Sequence, residues 1–328
     1  MKFYRIWSPA FAVGLFFSLL ILPVNAEYRL QASNELLQVY TNPKLSNLAQ
    51  QILKPLSDRV FSMQAELGIY SSTPAAIYIV PNRISYQSLA YGKEKIVESS
   101  DAFYSMRENR IYVRTPDQIN DLYIKVLMHE YIHWYINSVF INAPLWFHEG
   151  MATYYSGQMG YDHYLRFIRA RWWGHNTDLG LMLNSYPESK QDWAMFYLTS
   201  TYAIKYMKDV NERQWKNFWD YSAYQVRQHS QAVFSNVFFY TYNTSFTDFS
   251  TAFSRYTKRL SYQYIFIAVN AVVFGSAPVF LILAYLKKRS RHKLLPDAEE
   301  EYIYLDEDDE EEADEEDNVD SNSHTDQT

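Results

Sequence analysis

The sequence predicts an α+β domain followed by one membrane-crossing helix. Three observations predict it. Strand-like segments gather in the first third of the chain, helical patterns fill most of the remainder, and a charge-free apolar run occupies residues 264–286. Strands first and helices afterwards is the ordering of an α+β domain.

Residues 37–40 look like a short strand, and the apolar spacing over 45–67 suits a helix. The stretch AAIYIV at 75–80 reads as a strand ended by Pro81 and Asn82. RIYVR at 110–114 alternates polar and apolar residues, as a half-exposed strand does. Thr115, Pro116 and Asp117 look like a helix start, with Pro at an early position and an acid in the first turn. The helical pattern then runs from Ile119 past His133 to about Asn137. Pro144 opens a second helix carrying Trp146 and Tyr155, and after Asp192 helical patterns dominate up to the membrane.

The chain of 328 residues suffices for one substantial domain with accessory segments. It contains no cysteine, which excludes a disulfide framework, a thiolate metal site and a cysteine nucleophile. The net charge of −7 is a property of the C-terminus. From Asp297 onward there are 17 acidic residues and no Lys or Arg, so the rest carries 30 basic against 20 acidic groups.

Residues 1–26 read as a secretory signal. Lys2 and Arg5 precede an apolar stretch, Pro23 breaks it, and Ala26 ends a small-residue cleavage site. Residues 27–262 are then expected outside the cytoplasm. A helix of 23 residues over 264–286, rising about 1.5 Å per residue, crosses a hydrocarbon core of about 30 Å. The transmembrane segment is set at 263–286. Lys287, Lys288, Arg289, Arg291 and Lys293 come at once after it, which places the C-terminus in the cytoplasm. Residues 287–328 form this basic segment and an acidic tail, a candidate contact for a cytoplasmic partner.

There is no Gly-rich phosphate loop and no G-x-S-x-G elbow. The run RFIRAR at 166–171, followed by Trp172 and Trp173, reads as a solvated helix face, and no nucleic-acid partner is expected.

The chemistry concentrates at His129-Glu130-Tyr131-Ile132-His133. On a helix, residues four apart share a face, so His129 and His133 can offer two imidazole nitrogens to one metal ion. Glu130 lies next round the helix, where it can hold a water without ligating the metal. Zinc lowers the pKa of a bound water to about 7, and a neighbouring carboxylate can then act as general base. This spacing supports metal-assisted hydrolysis.

Downstream stands Pro144-Leu145-Trp146-Phe147-His148-Glu149-Gly150-Met151-Ala152. With HExxH before it, the chain resembles the gluzincin metallopeptidases, in particular the peptidase-MA-like domains, over residues 75–206. The resemblance implies a zincin-like fold, a Zn2+ cofactor and a peptide or protein substrate. It makes Glu149 the third metal ligand. His148 is a rival donor, pointing about 100° away on the helix. Gly150 and Ala152 would let the two helices approach closely around the metal. The resemblance also implies that the strand before the HExxH helix is the cleft edge, which puts Ile111 and Val113 at the substrate. Tyr197 becomes the candidate to stabilise the oxyanion, with His163 and His175 as alternatives. Many gluzincins carry an acid four residues after the ligand Glu, and Thr153 stands there in this chain. The expected function is a membrane-anchored zinc peptidase acting outside the cytoplasm. The alternative is a non-catalytic binding or sensor protein on the same scaffold, signalling through its tail.

Overall fold

The computed structural model describes residues 28–91, 93, 100–174 and 178–292. The expected signal segment, the acidic tail, Lys293 and His175 lie outside the described residues. The chain divides into two compact units, Met1–Ala268 and Val269–Thr328. The architecture is mixed α+β, with one long apolar helix towards the C-terminus.

The first unit is built on a five-stranded mixed sheet. Its strands are β1 (Arg29–Ser33), β2 (Leu37–Thr41), β3 (Ala75–Val80), β4 (Ala102–Ser105) and β5 (Arg110–Arg114), in the spatial order β1-β2-β3-β5-β4. β2, β3 and β5 run parallel, while β1 and β4 flank them antiparallel. Side chains alternate across a strand, and both faces are used here. Leu37, Val39, Ile77, Ile79, Ile111 and Val113 enter the main core. On the other face Tyr40, Tyr78, Tyr112 and Phe103 stand opposite one another in register across four strands. Tyr40 stacks on Tyr78 at 4.8 Å, and Phe103 lies 5.3 Å from Tyr112. Cross-strand aromatic pairs of this kind hold register.

α1 (Ser46–Leu67) covers the main-core face. Its buried Ala49, Ile52, Leu56, Val60, Met63 and Leu67 recur at helical spacing. Gly68 ends it at φ 71°, a left-handed conformation that costs glycine nothing. α2 (Arg83–Ala90), a helix beyond those expected from the sequence, is capped by the Asn82 side chain and buries Tyr86 and Ala90 beside Phe103 and Tyr112. β5 is therefore not half-exposed: Ile111, Tyr112 and Val113 are all buried, one face under the core and the other under α2.

The helix carrying HExxH, α3 (Asp121–Val139), starts later than Pro116 suggests. The Thr115 amide and hydroxyl both donate to the Val80 carbonyl, at 3.0 and 2.7 Å, and keep the chain on the sheet. Asn120 is the cap, its side chain accepting from the Tyr123 amide at 2.9 Å. The remaining elements are β6 (Phe140–Ile141), α4 (Leu145–Ser156), α5 (Tyr161–Trp172), α6 (Lys190–Lys205), α7 (Glu212–His229), β7 (Ala232–Val233), α8 (Phe234–Tyr242) and α9 (Phe246–His292). Phe140, Phe147, Phe218 and Phe234 form an aromatic cluster among them, with Trp146 and Trp219.

In the first unit α9 buries Phe249, Phe253, Thr257 and Ser261, one stripe at four-residue spacing. From Phe266 onward its apolar side chains are exposed. Among the described residues it is the one helix long and apolar enough to cross a membrane, with a mean hydropathy of 2.3 over a window none of which is buried.

Candidate metal centre

α3 is apolar around most of its circumference. Leu127, Met128, Tyr131, Ile132, Trp134, Tyr135 and Ile136 are all buried. Ionisable side chains inside such a helix carry a desolvation cost that only specific partners offset. His129 and His133 lie one turn apart, with ring centroids 4.8 Å from each other.

The partner comes from α4, which Pro144 opens as the sequence suggests. Glu149 is 1% exposed. Its Oε2 lies 3.4 Å from His129 Nε2 and its Oε1 lies 3.6 Å from His133 Nε2. One donor atom from each residue falls within 4.8 Å of the other two, a group that could hold a metal ion. Glu149 Oε2 makes no hydrogen bond in this arrangement, while Oε1 accepts from the Tyr186 hydroxyl. Two imidazoles and one carboxylate are a donor set suited to zinc, and three protein ligands leave a position open. The residues present fit such an ion.

α4 is held by α6 rather than by α3 at its small residue. A Cβ on Gly150 would collide with the Ser200 carbonyl oxygen and lie 2.7 Å from Ile204 Cγ1. Only glycine permits this backbone approach, which sets Glu149 in depth against the histidines.

Electrostatics follow from burial and these partners. Burial pushes the Glu149 carboxyl up, but His133, His129 and the Tyr186 hydroxyl outweigh it and hold it down at about 2. Burial lowers His133 to about 3 against the pull of Glu149. For His129 burial also lowers, yet the adjacent Glu149 raises it further, and the net direction is up. Burial lifts Glu130 to about 7, with His129 opposing and Glu149 adding to the rise.

These groups line a cavity of about 220 Å³ that also contains Glu130, His148, Tyr186 and Tyr197. It adjoins a larger groove of about 790 Å³, with which it shares Tyr104, Met106, Asn137 and His148. Asn109, Asn142, Asn184 and Gln231 also line that groove, and among the described residues its walls carry no Lys, Arg, Asp or Glu.

The strand edge at the cavity is β4, which corrects the assignment of Ile111 and Val113 to the substrate. Both are fully buried in β5, an inner strand paired on both sides. Among the described residues β4 pairs with β5 alone, and its Phe103 and Tyr104 line the cavity. The Tyr104 backbone N–H lies close enough to Glu130 to favour its carboxylate.

Tyr197 on α6 lines the cavity, its ring 6.3 Å from that of His129. His148 faces the cleft with its ring 5.8 Å from His133, and burial lowers it to about 4. It stands outside the convergent group. His163 is not brought to the site; its Nδ1 accepts from the Gly160 amide at 3.1 Å at the start of α5. Trp146 is wholly buried and packs on Phe246 and Phe249.

Two residues at the site carry no mark in the sequence. Tyr186, in the irregular segment before α6, donates its hydroxyl to Glu149 Oε1. No periodicity distinguishes it among 30 tyrosines. Gln158, just beyond α4, lies near enough to His129 to favour the charged imidazole. The Thr153 hydroxyl is buried without a hydrogen-bond partner, as is His129 Nδ1.

The chain matches no protein-family model and no curated protein.

Proposed function

We propose that this chain is a zinc-dependent peptidase of gluzincin type, carried on a single membrane span, with His129, His133 and Glu149 as ligands and Glu130 as general base. The fold reading that goes with it is zincin-like: a mixed sheet with an antiparallel edge strand, the HExxH helix α3 and the glutamate helix α4. One observation carries the proposal. Three donor atoms from two helices converge in the wall of a cavity that also holds Glu130 and the strand β4, the edge of the sheet among the described residues.

When bound, zinc supplies Lewis acidity, making a water more acidic and polarising the scissile carbonyl. Glu130 would hold the attacking water, take its proton and deliver it to the leaving amine. The Tyr197 hydroxyl donates to the oxygen on which negative charge develops. Tyr186 holds Glu149 in orientation through its hydrogen bond. The outer edge of β4 offers main-chain groups to an extended peptide. The described residues of the adjoining groove include no Lys, Arg, Asp or Glu, which favours neutral substrate residues there.

The topology that goes with this reading puts the first unit outside the cytoplasm and the acidic tail inside. Cleavage of a mixed peptide library by the full-length chain in detergent tests it. Wild-type cleavage abolished by chelation and by Glu130→Gln, with metal retained in the variant, is the expected result. Equal cleavage by Glu130→Gln would overturn the peptidase reading and return attention to a binding role with the tail as its output.

A further inference from the structure

α5 presents two different faces. Its inner face is fixed: Phe167 stacks on Tyr202 of α6 at 4.1 Å, and Arg171 Nη2 donates to the Ser254 hydroxyl of α9 at 2.8 Å. Its outer face, at helical spacing, carries Leu165, Arg166, Arg169, Trp172 and, just past its end, Trp173, all exposed. Trp173 is 76% exposed and Trp172 51%. The other tryptophans in the described part of the chain are buried or half-buried. Two exposed indoles side by side are costly in water, and Trp and Tyr are enriched where a membrane meets water.

The place of this face in the fold gives it an occupant. Trp172 meets Tyr262 of α9 edge-on at 5.8 Å, and Tyr164 meets Tyr264 at 4.4 Å. Tyr262 and Tyr264 stand where the buried stripe of α9 ends and its exposed apolar side chains begin. Around them Arg166, Arg169, Arg255, Lys258 and Arg259 are exposed, against one acid, Asp162, on the same stretch of α5. Cationic side chains with indole and phenol rings are what the headgroup layer of a bilayer receives.

We propose that the outer face of α5, with Tyr262, docks into the headgroup layer of the bilayer that α9 crosses, Trp172 and Trp173 reaching the acyl boundary and the five cations meeting lipid phosphates. This rests on α9 being a membrane span and is independent of the metal centre. The first unit is then held by a second contact besides its tether. The solvated-face reading of RFIRAR becomes a lipid-facing one.

The test uses the full-length chain in nanodiscs whose lipids carry bromine on the upper acyl carbons, which quenches nearby indoles. Alkaline extraction of the membrane fraction is run beside it. Wild type is expected to stay in the membrane and to lose tryptophan emission relative to unbrominated discs. Trp172→Phe/Trp173→Phe is expected to lose that quenching while unfolding at the wild-type temperature, and Trp173→Phe alone to lose part of it. Quenching is expected to deepen when phosphatidylcholine is replaced by phosphatidylglycerol. An integral chain whose emission is the same in both kinds of disc, or whose quenching survives both substitutions, would overturn the docking. Such a result with a dimer by mass would assign the face to a second copy. A chain stripped from the membrane by alkali would remove the span and the proposal together.

Discussion

Two helices of this chain share a composition and differ in everything else. α3 and the second half of α9 are both apolar around most of their circumference. In α3 the apolar side chains are buried, Leu127 and Tyr131 completely. In α9 Phe266, Val272, Phe274 and Leu281 are each about 70% exposed or more. The polar residues within them diverge as well. In α3 two histidines lie on one face and converge with Glu149 of a second helix. In the bare half of α9 the Ser276 hydroxyl returns to its own backbone, donating to the Val273 carbonyl at 3.0 Å. No charge occurs between Arg259 and Lys287. An apolar helix that keeps ionisable groups has partners that offset their desolvation. One that keeps none is suited to a solvent without water.

The contrast can be broken from either side. The largest effect is expected at α3, where Glu130→Gln should lower peptide cleavage about 10²–10⁴-fold while the metal content stays that of wild type. Loss of the metal in that variant would make Glu130 a ligand and undo its proposed role as base. In α9 the corresponding break is a charge: Val272→Lys should cost about 2.5–3.5 kcal/mol of membrane insertion. Fractionation should show this chain leaving the membrane with its metal still bound. Retention in the membrane after alkaline extraction would speak against the span.

Three finer substitutions sharpen the picture around the proposed ligands. Gln158→Ala, which removes the polar side chain beside His129, should weaken zinc about 10-fold in a competition titration with a chelator. Thr153→Val should leave that affinity unchanged, because the hydroxyl it removes has no hydrogen-bond partner. The opposite pattern would give Thr153 the role that an acid holds in many gluzincins. Gly150→Ala should lower stability by about 1–3 kcal/mol in urea unfolding, since its Cβ must displace the Ser200 backbone or Ile204. A neutral result would mean that α4 and α6 part easily and that Glu149 is less firmly placed.

Local chemistry explains which of these features are legible in the sequence. The spacing of His129 and His133 is a one-turn relation, and the Pro144 opening of α4 is a backbone constraint at one residue. Both can be read directly. The proposed third ligand is legible only through the resemblance, because nothing in Glu149 itself says which helix it will face. The cleft edge is misassigned for the same reason. β4 and β5 are neighbours in the chain, yet which becomes the edge depends on β5 pairing with β3 from the other side. Pro116 and Asp117 imitate a helix start, and only the tie from Thr115 to Val80 delays it to Asn120. Asn82 beside Pro81 suggests only the end of a strand, and the short helix that its side chain caps goes unread. Tyr186 lies in an irregular segment where no period operates, and its role emerges only once Glu149 is in place.

The metal centre proposed for this chain consists of His129, His133 and Glu149, and excludes His148. Elemental analysis of the purified full-length chain tests it most directly, with Glu149→Gln and His148→Ala beside wild type. The expected result is about one zinc per chain in wild type and in His148→Ala, three protein ligands sufficing for one ion, and its loss in Glu149→Gln. A well-folded wild type without metal, or a centre that survives Glu149→Gln and is lost in His148→Ala, would contradict it.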